Sequence, residues 1–391
     1  MNPIEDCGIT DVMAPNYDLI IAMFFHNSES YAVKTVEAML DCVSNIPEKY
    51  KVGLVLVNYD STDKTEKILK ACHKVLNTYD EIRVKGKLVT YADPYQDPDA
   101  APVTLKIPSH KIISVLNFNS PISNNIRGCF IDWLFSKIII NPRYVFLMDG
   151  SDYLHPDALK AGLAYLDKYP VDALTLTRVP PCDESLPELV TKGYSGEDYL
   201  RYIAQSQGRS EGSINCFHKW KVLVKSSFGL DEYQRSQEEW EVPQLSVPRL
   251  VWDGDDYLFW MLNFKRYRWI VKTNLPYYCD QNLRANAVAP SVLRGEAEGE
   301  RRELAEDFFG YIYNIRCLVE AETPRDIKLA YIYTVIDGVT SYFKKTPITS
   351  MALEHYQGFV DSTIRAIRLI ISDTDGEVLN QELFQKYFRE V

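Results

Sequence analysis

The sequence predicts an α/β protein built around a buried, mostly parallel sheet, and two observations carry that prediction. Unbroken apolar runs occur at Asp18 to Phe25, Val52 to Val57 and Tyr144 to Met148; a strand that is apolar at every position is covered on both faces, as in parallel sheets. After each run the chain turns polar and then takes up a helical period, so that strand and helix alternate. With 391 residues, 46% hydrophobic and 25% charged, the chain can bury one large core or two ordinary ones.

Taken in order, Asp18 to Phe25 is the first strand. Polar His26-Asn27-Ser28-Glu29 follows, then a helix from about Tyr31 to Cys42 with Val33, Val36, Met39 and Leu40 on one side. Val52 to Val57 repeats the strand, and Asn58-Tyr59-Asp60-Ser61-Thr62-Asp63 forms a loop in which Asp63 and Glu66 have the spacing of a capping box. Tyr91 to Ser123 is rich in Pro, Asp and Asn apart from the apolar Ile112 to Leu116, and reads as a long excursion before a helix over Arg127 to Ile140. Tyr144 to Met148 then empties into two carboxylates, Asp149 and Asp152, with Pro156 placed at the first turn of a helix over about Asp157 to Asp167. The two acids thus fall at the carboxyl edge of a central strand, where open α/β sheets bind ligands. Oxygen ligands on a short loop suit Mg²⁺ or Mn²⁺, which in turn neutralises a diphosphate. The other reading of the same residues is a solvated turn in which Asp152 caps the helix.

The formal charge of -11 argues against a long nucleic acid or an anionic membrane as the main partner. The eight cysteines are scattered singly, with no CxxC and no close His/Cys pairing of the kind that marks zinc; they read as reduced and mostly buried. The first residues carry Asp and Glu where a signal peptide carries Lys, and no apolar run approaches the ~20 residues of a membrane helix. The expected address is the cytoplasm, or the membrane periphery.

A collinear series of segments resembles the family 2 glycosyltransferases. FFHNSESY stands where that family has a strand ending in a Tyr-Asn-Ser loop, and VLVNYDSTDKTEKILK where it has a strand, an Asp-Asp-Gly-Ser-Thr-Asp loop and a helix. NNIRGCFIDWLFSKIIINPRYVFLMDGSDYLHPDAL is similar to its Ala-Arg-Asn-x-Gly helix and Leu-Asp-x-Asp-Asp strand end. INCFHKWKVLVKSSFGLDE and WDGDDYLFWMLNFKRYRWIVKTNLPYY resemble the strand and helix before the family's catalytic acid, and then its Gly-Glu-Asp-Tyr helix and closing strand. The likeness runs over residues 18–288.

The resemblance implies a GT-A fold, a Rossmann-like domain over residues 1–292 with a nucleotide-binding half (17–160) and an acceptor half (161–292). It does not reach residues 293–391, which read as a helical appendage from the helical stretches Glu300 to Glu320, Asp326 to Phe343 and Thr349 to Ile371, separated by Thr323-Pro324 and Thr346-Pro347. The resemblance also implies transfer of a hexose-like sugar from a UDP-, GDP- or dTDP-linked donor to the hydroxyl of a glycan, lipid-linked or protein acceptor, with inversion and with Mn²⁺ or Mg²⁺ bridging protein and diphosphate. Phe25, His26, Asn58 and Asp60 would grip the nucleoside, Arg127 a phosphate, Asp149 and Asp152 the cation. Asp256 would be the general base, with Asp255 beside it where the family has Glu. In the sequence itself these acids precede the amphipathic run Tyr257 to Phe264, at a helix start whose dipole keeps them ionised. The chain departs from the family at Asn58, where an Asp is usual, and at Ser151, which occupies the place of the main cation ligand. Arg127 lies about two places beyond the family's Arg, and YYCDQNLRANAV has no His.

Beyond the motifs, His26 reads as a pocket wall, and His155 and His218 as surface or packing residues. Tyr194, Tyr199, Tyr202, Phe217, Trp220, Tyr233 and Trp240 are mostly core, and Glu232 to Trp252 forms a lid or acceptor rim. The C-terminal helices, rich in Tyr, Phe and Ile, pack on the catalytic domain or offer a homodimer face. Two other classes stand beside the transferase: a catalytically silent carbohydrate- or protein-binding domain, which Asn58 and Ser151 favour, and a nucleotidyltransferase, which would want a Gly-rich, basic loop that FFHNSESY lacks.

Overall fold

A computed structural model of the chain describes residues 16–59, 61–78, 88–91, 103–106, 112–120, 130–131, 134, 141–179, 185–205, 214–226, 259–260, 263–279 and 324–329. The chain divides into two compact units. The first comprises Met1–Tyr194, Ile214–Ser226 and Tyr267–Val288, the second Ser195–Ser213, Ser227–Arg266 and Ala289–Val391.

The first unit carries the sheet. Strand β1 (Tyr17–Phe25), helix α1 (Ala32–Ser44), β2 (Val52–Tyr59) and helix α2 (Thr65–Thr78) realise the expected alternation. A hairpin of β3 (Leu88–Tyr91) and β4 (Val103–Lys106) stands apart, and β5 (Ile112–Ser120) follows. Then come β6 (Pro142–Asp149), β7 (Asp152–Leu154), helix α3 (Ala158–Lys168), β8 (Ala173–Arg178), β9 (Thr191–Tyr194), β10 (Cys216–Lys219), the single turn α5 (Trp220–Leu223, numbered after α4 below) and β11 (Ile270–Cys279).

Among the described residues the sheet has nine strands in the order β5-β2-β1-β6-β10-β8-β11-β7, with β9 on β11. β5, β2, β1 and β6 run parallel, and β10 is antiparallel to both β6 and β8. The α/β prediction therefore holds, with an antiparallel strand inserted in the middle of the sheet. Every residue of β2 is buried, as are the last seven of β1, which is why these strands are apolar without alternation. The apolar island at Ile112 to Leu116, expected within an excursion, is instead the strand beside β2, with Val52 opposite Ile112 and Tyr59 opposite Ser120.

From β2 the chain steps outward to β5 and then returns to the far side of β1 as β6. That reversal makes a switch point between β1 and β6, whose carboxyl ends align with Phe24 opposite Asp149. One core packs α1, α2 and α3 on the sheet through residues such as Val36, Leu40, Leu69, Leu159 and Leu163 against Leu19, Leu54 and Phe146. Among the described residues Cys42, Cys72 and Cys216 are buried and form no disulfide. Burial pushes the Cys42 and Cys72 thiols up to about 12, so neither is a nucleophile at neutral pH.

Opposite chain ends of α3 and β6 are tied by Asp167. Its carboxylate accepts from Arg143 Nη1 (2.6 Å), Tyr50 Oη (2.6 Å) and Lys49 Nζ (2.9 Å). Partial burial pushes this carboxyl up, but the bonds from Tyr50, Lys49 and Arg143 outweigh it and hold the group at about 2, below its ordinary 3.8. A carboxyl lowered on folding contributes stability above its unfolded value, and the contribution is lost as pH falls through the folded value. The melting temperature of Asp167→Asn is therefore expected to lie below that of the wild type at neutral pH, with the gap closing as pH falls from 4 to 2. A gap that persists unchanged to pH 2 would contradict the assignment.

In the second unit, helix α4 (Gly196–Gln205) opens on Ser195, whose Oγ accepts from the Asp198 amide at 3.1 Å. Tyr199 packs edge-on to Trp260 at 5.0 Å, and Arg201 pairs with Glu197 at 2.9 Å and with Asp326. As expected, Tyr199 and Trp220, each within its own unit, are buried core residues, and so is Phe217. The rim at Glu232 to Trp252 and nearly all of the C-terminal region lie outside the described residues. Among the described residues no helix is long and apolar enough to cross a membrane.

Candidate functional site

The site is assembled at the carboxyl ends of β1, β2 and β6. Register brings Phe25 beside Asn58, and Phe24 beside Asp149. Of the residues singled out from the sequence, the structure thus gathers Phe25, His26, Asn58, Asp149 and Asp152 in the first unit. Asp60, Arg127, Asp255 and Asp256 lie outside the described residues.

The loops after β1 and β2 are laced together by hydrogen bonds between backbone and side chains. Asn27 N donates to Ser61 Oγ (3.0 Å), Thr62 N to Asn27 Oδ1 (2.8 Å), Glu29 N to Asp63 Oδ2 (3.0 Å) and Lys64 N to Glu29 Oε2 (2.8 Å). Asp63 Oδ1 takes the Thr65 amide at 2.9 Å, so the residue predicted to cap α2 does so while its other oxygen crosses to the first loop. Ser28, fully buried, accepts no solvent and donates its amide to Thr65 Oγ1 at 2.5 Å. Asn27 adopts φ 45, a left-handed backbone that asparagine tolerates better than most residues.

This lacing fixes the state of His26. Its ring stacks on Tyr59 with centroids 5.2 Å apart, and Nδ1 lies 3.0 Å from Tyr59 O, which can only accept. Nδ1 is then the protonated nitrogen, and Nε2 receives Asn27 Nδ2 at 3.2 Å. The imidazole is almost fully covered, in keeping with a pocket wall. Next to it, Asn58 is buried and its Oδ1 has no hydrogen-bond partner. A buried acceptor without a partner costs about 1–3 kcal/mol, a cost that a ligand N–H would remove.

The acidic turn is held tightly against β1. Gly150 N donates to Phe24 O at 2.6 Å, and a Cβ at Gly150 would stand 2.4 Å from the Phe25 ring and 2.8 Å from Phe24 O. Only glycine permits this approach. Asp149 is 9% exposed, Ser151 8% and Asp152 2%. Asp152 opens β7, pairing with Cys279 of β11, and its Oδ2 accepts Asn215 Nδ2 at 2.6 Å while Oδ1 is buried. It does not cap α3, whose N-cap is Asp157. Tyr31, at the start of α1, is a further neighbour: burial raises its phenol, Ser28 opposes that, and the nearby charge of Asp149 adds to it. The phenol stays neutral beside the acid. His155 and His218 are packing residues, the first accepting the Asp157 amide at 3.1 Å and the second lying 3.0 Å from Tyr267 Oη.

Two residues of this site were not singled out by sequence reasoning. Tyr31 appeared only as a helix start, and Asn215 only inside a matched segment. No spacing signal marks either, because both reach the acids through tertiary contacts.

Among the described residues no group of three or more His, Cys, Asp and Glu converges on a metal position. What the turn offers a cation is two carboxylates, Asp149 and Asp152. A hard cation that keeps several waters and draws further oxygens from a diphosphate needs no more. Of the two, Asp149 ends β6 and is 9% exposed, while Asp152 is 2% exposed and has one oxygen taken by Asn215.

No protein-family model matches the chain, and no curated protein matches it. Among solved structures it is similar to S. aureus TarS 1-349, with a TM-score of 0.49 and 12% identity over 95% of this chain and 93% of that one. The same protein in complex with UDP-GlcNAc matches at TM-score 0.46 and 12% identity, and in complex with UDP at 0.47 and 13%, with the same coverage.

Proposed function

We propose that the chain is a glycosyltransferase of GT-A type that moves a sugar from a nucleotide-diphosphate donor to an acceptor hydroxyl, with inversion and with the help of a divalent cation. The observation that carries this is the convergence of Phe25, His26, Asn58 and Asp149 at the carboxyl edge of three adjacent parallel strands, beside a switch point. The collinear family-like segments support it as well, since three of them supply these strand ends.

In this reading His26 and Asn58 border the nucleoside, and Asn58 Oδ1 accepts an N–H of the base. Asp149 and Asp152 would hold Mn²⁺ or Mg²⁺, with Asp149 the more accessible. When bound, the cation offsets the charge of the diphosphate as it leaves. Asp60 and Arg127 would complete the donor grip. Asp256 removes the proton from the acceptor hydroxyl, and Asp255 adjoins it.

A second reading, a silent binding domain, is favoured by one observation: Asp152 is buried and committed to Asn215. Isothermal titration of the full chain with UDP, GDP and dTDP, with and without Mn²⁺, separates the two. Binding to one of them, strengthened by Mn²⁺, is expected, together with slow hydrolysis of the matching nucleotide sugar. No binding to any nucleotide would overturn the transferase reading.

A further inference from the structure

Asn215 carries two features that a packing residue would avoid. Its backbone is left-handed, with φ 55, and its side-chain Oδ1 is buried without a hydrogen-bond partner. Strain and an unsatisfied buried acceptor both disfavour the folded chain, and they persist where the surroundings impose them. Here the surroundings do so visibly. Asn215 N donates to Leu147 O at 2.7 Å and its carbonyl accepts from Leu176 N at 3.1 Å, so the residue is pinned between β6 and β8 just before β10 begins. Leu147 is two residues short of Asp149, which puts Asn215 at the acidic end of β6.

From that anchored backbone, Nδ2 reaches Asp152 Oδ2 at 2.6 Å. The amide is turned so that its nitrogen faces the Asp152 carboxyl and Oδ1 faces away from it. The position therefore asks for a short side chain that tolerates positive φ and donates an N–H. Glycine meets the first demand and lacks the donor; aspartate tolerates the backbone but would set a second acceptor against Asp152. Asparagine satisfies both.

We propose that Asn215 is a positioning residue of the donor site, which orients the Asp152 carboxylate and thereby fixes the turn from Asp149 to Asp152 that faces the donor diphosphate. This rests on the transferase reading above. Because Asn215 acts through Asp152, its loss is felt at the donor even though the side chain touches no ligand.

The test uses the full chain with UDP, GDP and dTDP as probes, titrated with and without Mn²⁺, alongside thermal melting. Asn215→Gly, which accepts the left-handed backbone, is expected to melt cooperatively and to bind its probe about tenfold more weakly in Mn²⁺. The exchange D152N/N215D restores an amide–carboxylate bond with the partners reversed. It is expected to recover the melting temperature relative to D152N alone, while leaving probe affinity low because the carboxylate now sits on the wrong side. Wild-type affinity in Asn215→Gly, or an exchange that recovers affinity together with melting, would show a structural staple and overturn the proposal. If Asn215→Gly does not fold, the exchange decides by the same criterion. Should the wild type bind none of UDP, GDP and dTDP, the transferase reading falls and this inference with it; wild-type binding with an unaffected Asn215→Gly sinks this inference alone.

Discussion

Asp256→Asn is expected to lower the rate of sugar transfer ~10²- to 10⁴-fold while leaving the melting temperature and nucleotide affinity nearly unchanged. Asn matches Asp in size but takes up no proton at neutral pH, so the change removes the base and little else. The alternative role for this acid, capping a helix, predicts a different result. Loss of a cap costs ~1 kcal/mol of stability, and turnover of the molecules that remain folded would hardly change. Rate and melting temperature measured on the same preparation therefore separate the two. A variant that keeps more than about a tenth of the wild-type rate would remove Asp256 from the mechanism, and Asp255 or Asp253 would be examined next. Asp256 is proposed from its motif, WDGDDYLFW, and not from its surroundings in the fold.

The strands were the most legible elements because burial on both faces leaves a mark that needs no tertiary knowledge. Val52 to Val57 was read as a strand, and it extends to Tyr59. Asp18 to Phe25 was read within one residue of the observed start. Helices α1 and α3 fell within two residues of their predicted ends, since their apolar faces repeat at helical spacing. β5 was harder. Its apolar half, Ile112 to Leu116, is followed by Asn117-Phe118-Asn119-Ser120, residues that look like a loop and pair with β2 all the same, because the ladder is made by backbone groups whatever the side chains are.

Within the site, position was legible and environment was not. The sequence put Asp149 at a strand end and His26 in the first loop, and both are there. What one strand end meets on another depends on register. The acids were read together as cation ligands, yet one is at the strand mouth and the other is inside β7, bound by Asn215, some sixty residues away in the chain. Nor does any local pattern show that His26 Nδ1 meets the carbonyl of Tyr59, or that Asn58 keeps an oxygen in reserve.

That difference between the two acids yields the second large effect. Asp149→Asn is expected to weaken nucleotide binding in Mn²⁺ by about a hundredfold, the equivalent of close to 3 kcal/mol and the upper end for a bond made to a charged group. In EDTA the same substitution should change affinity little, because the charge it removes acts through the cation. Asp152→Asn adds an effect on stability. It sets an amide against the Asn215 amide in a buried place, and one of the two is left without its proper partner, at about 1–3 kcal/mol of stability. Its melting temperature is therefore expected to lie below that of the wild type, whatever the change does to binding. If Asp149→Asn bound nucleotide in Mn²⁺ as tightly as the wild type, the carboxylate at the strand mouth would have no part in holding the donor, and the cation-assisted mechanism would lose its most accessible ligand.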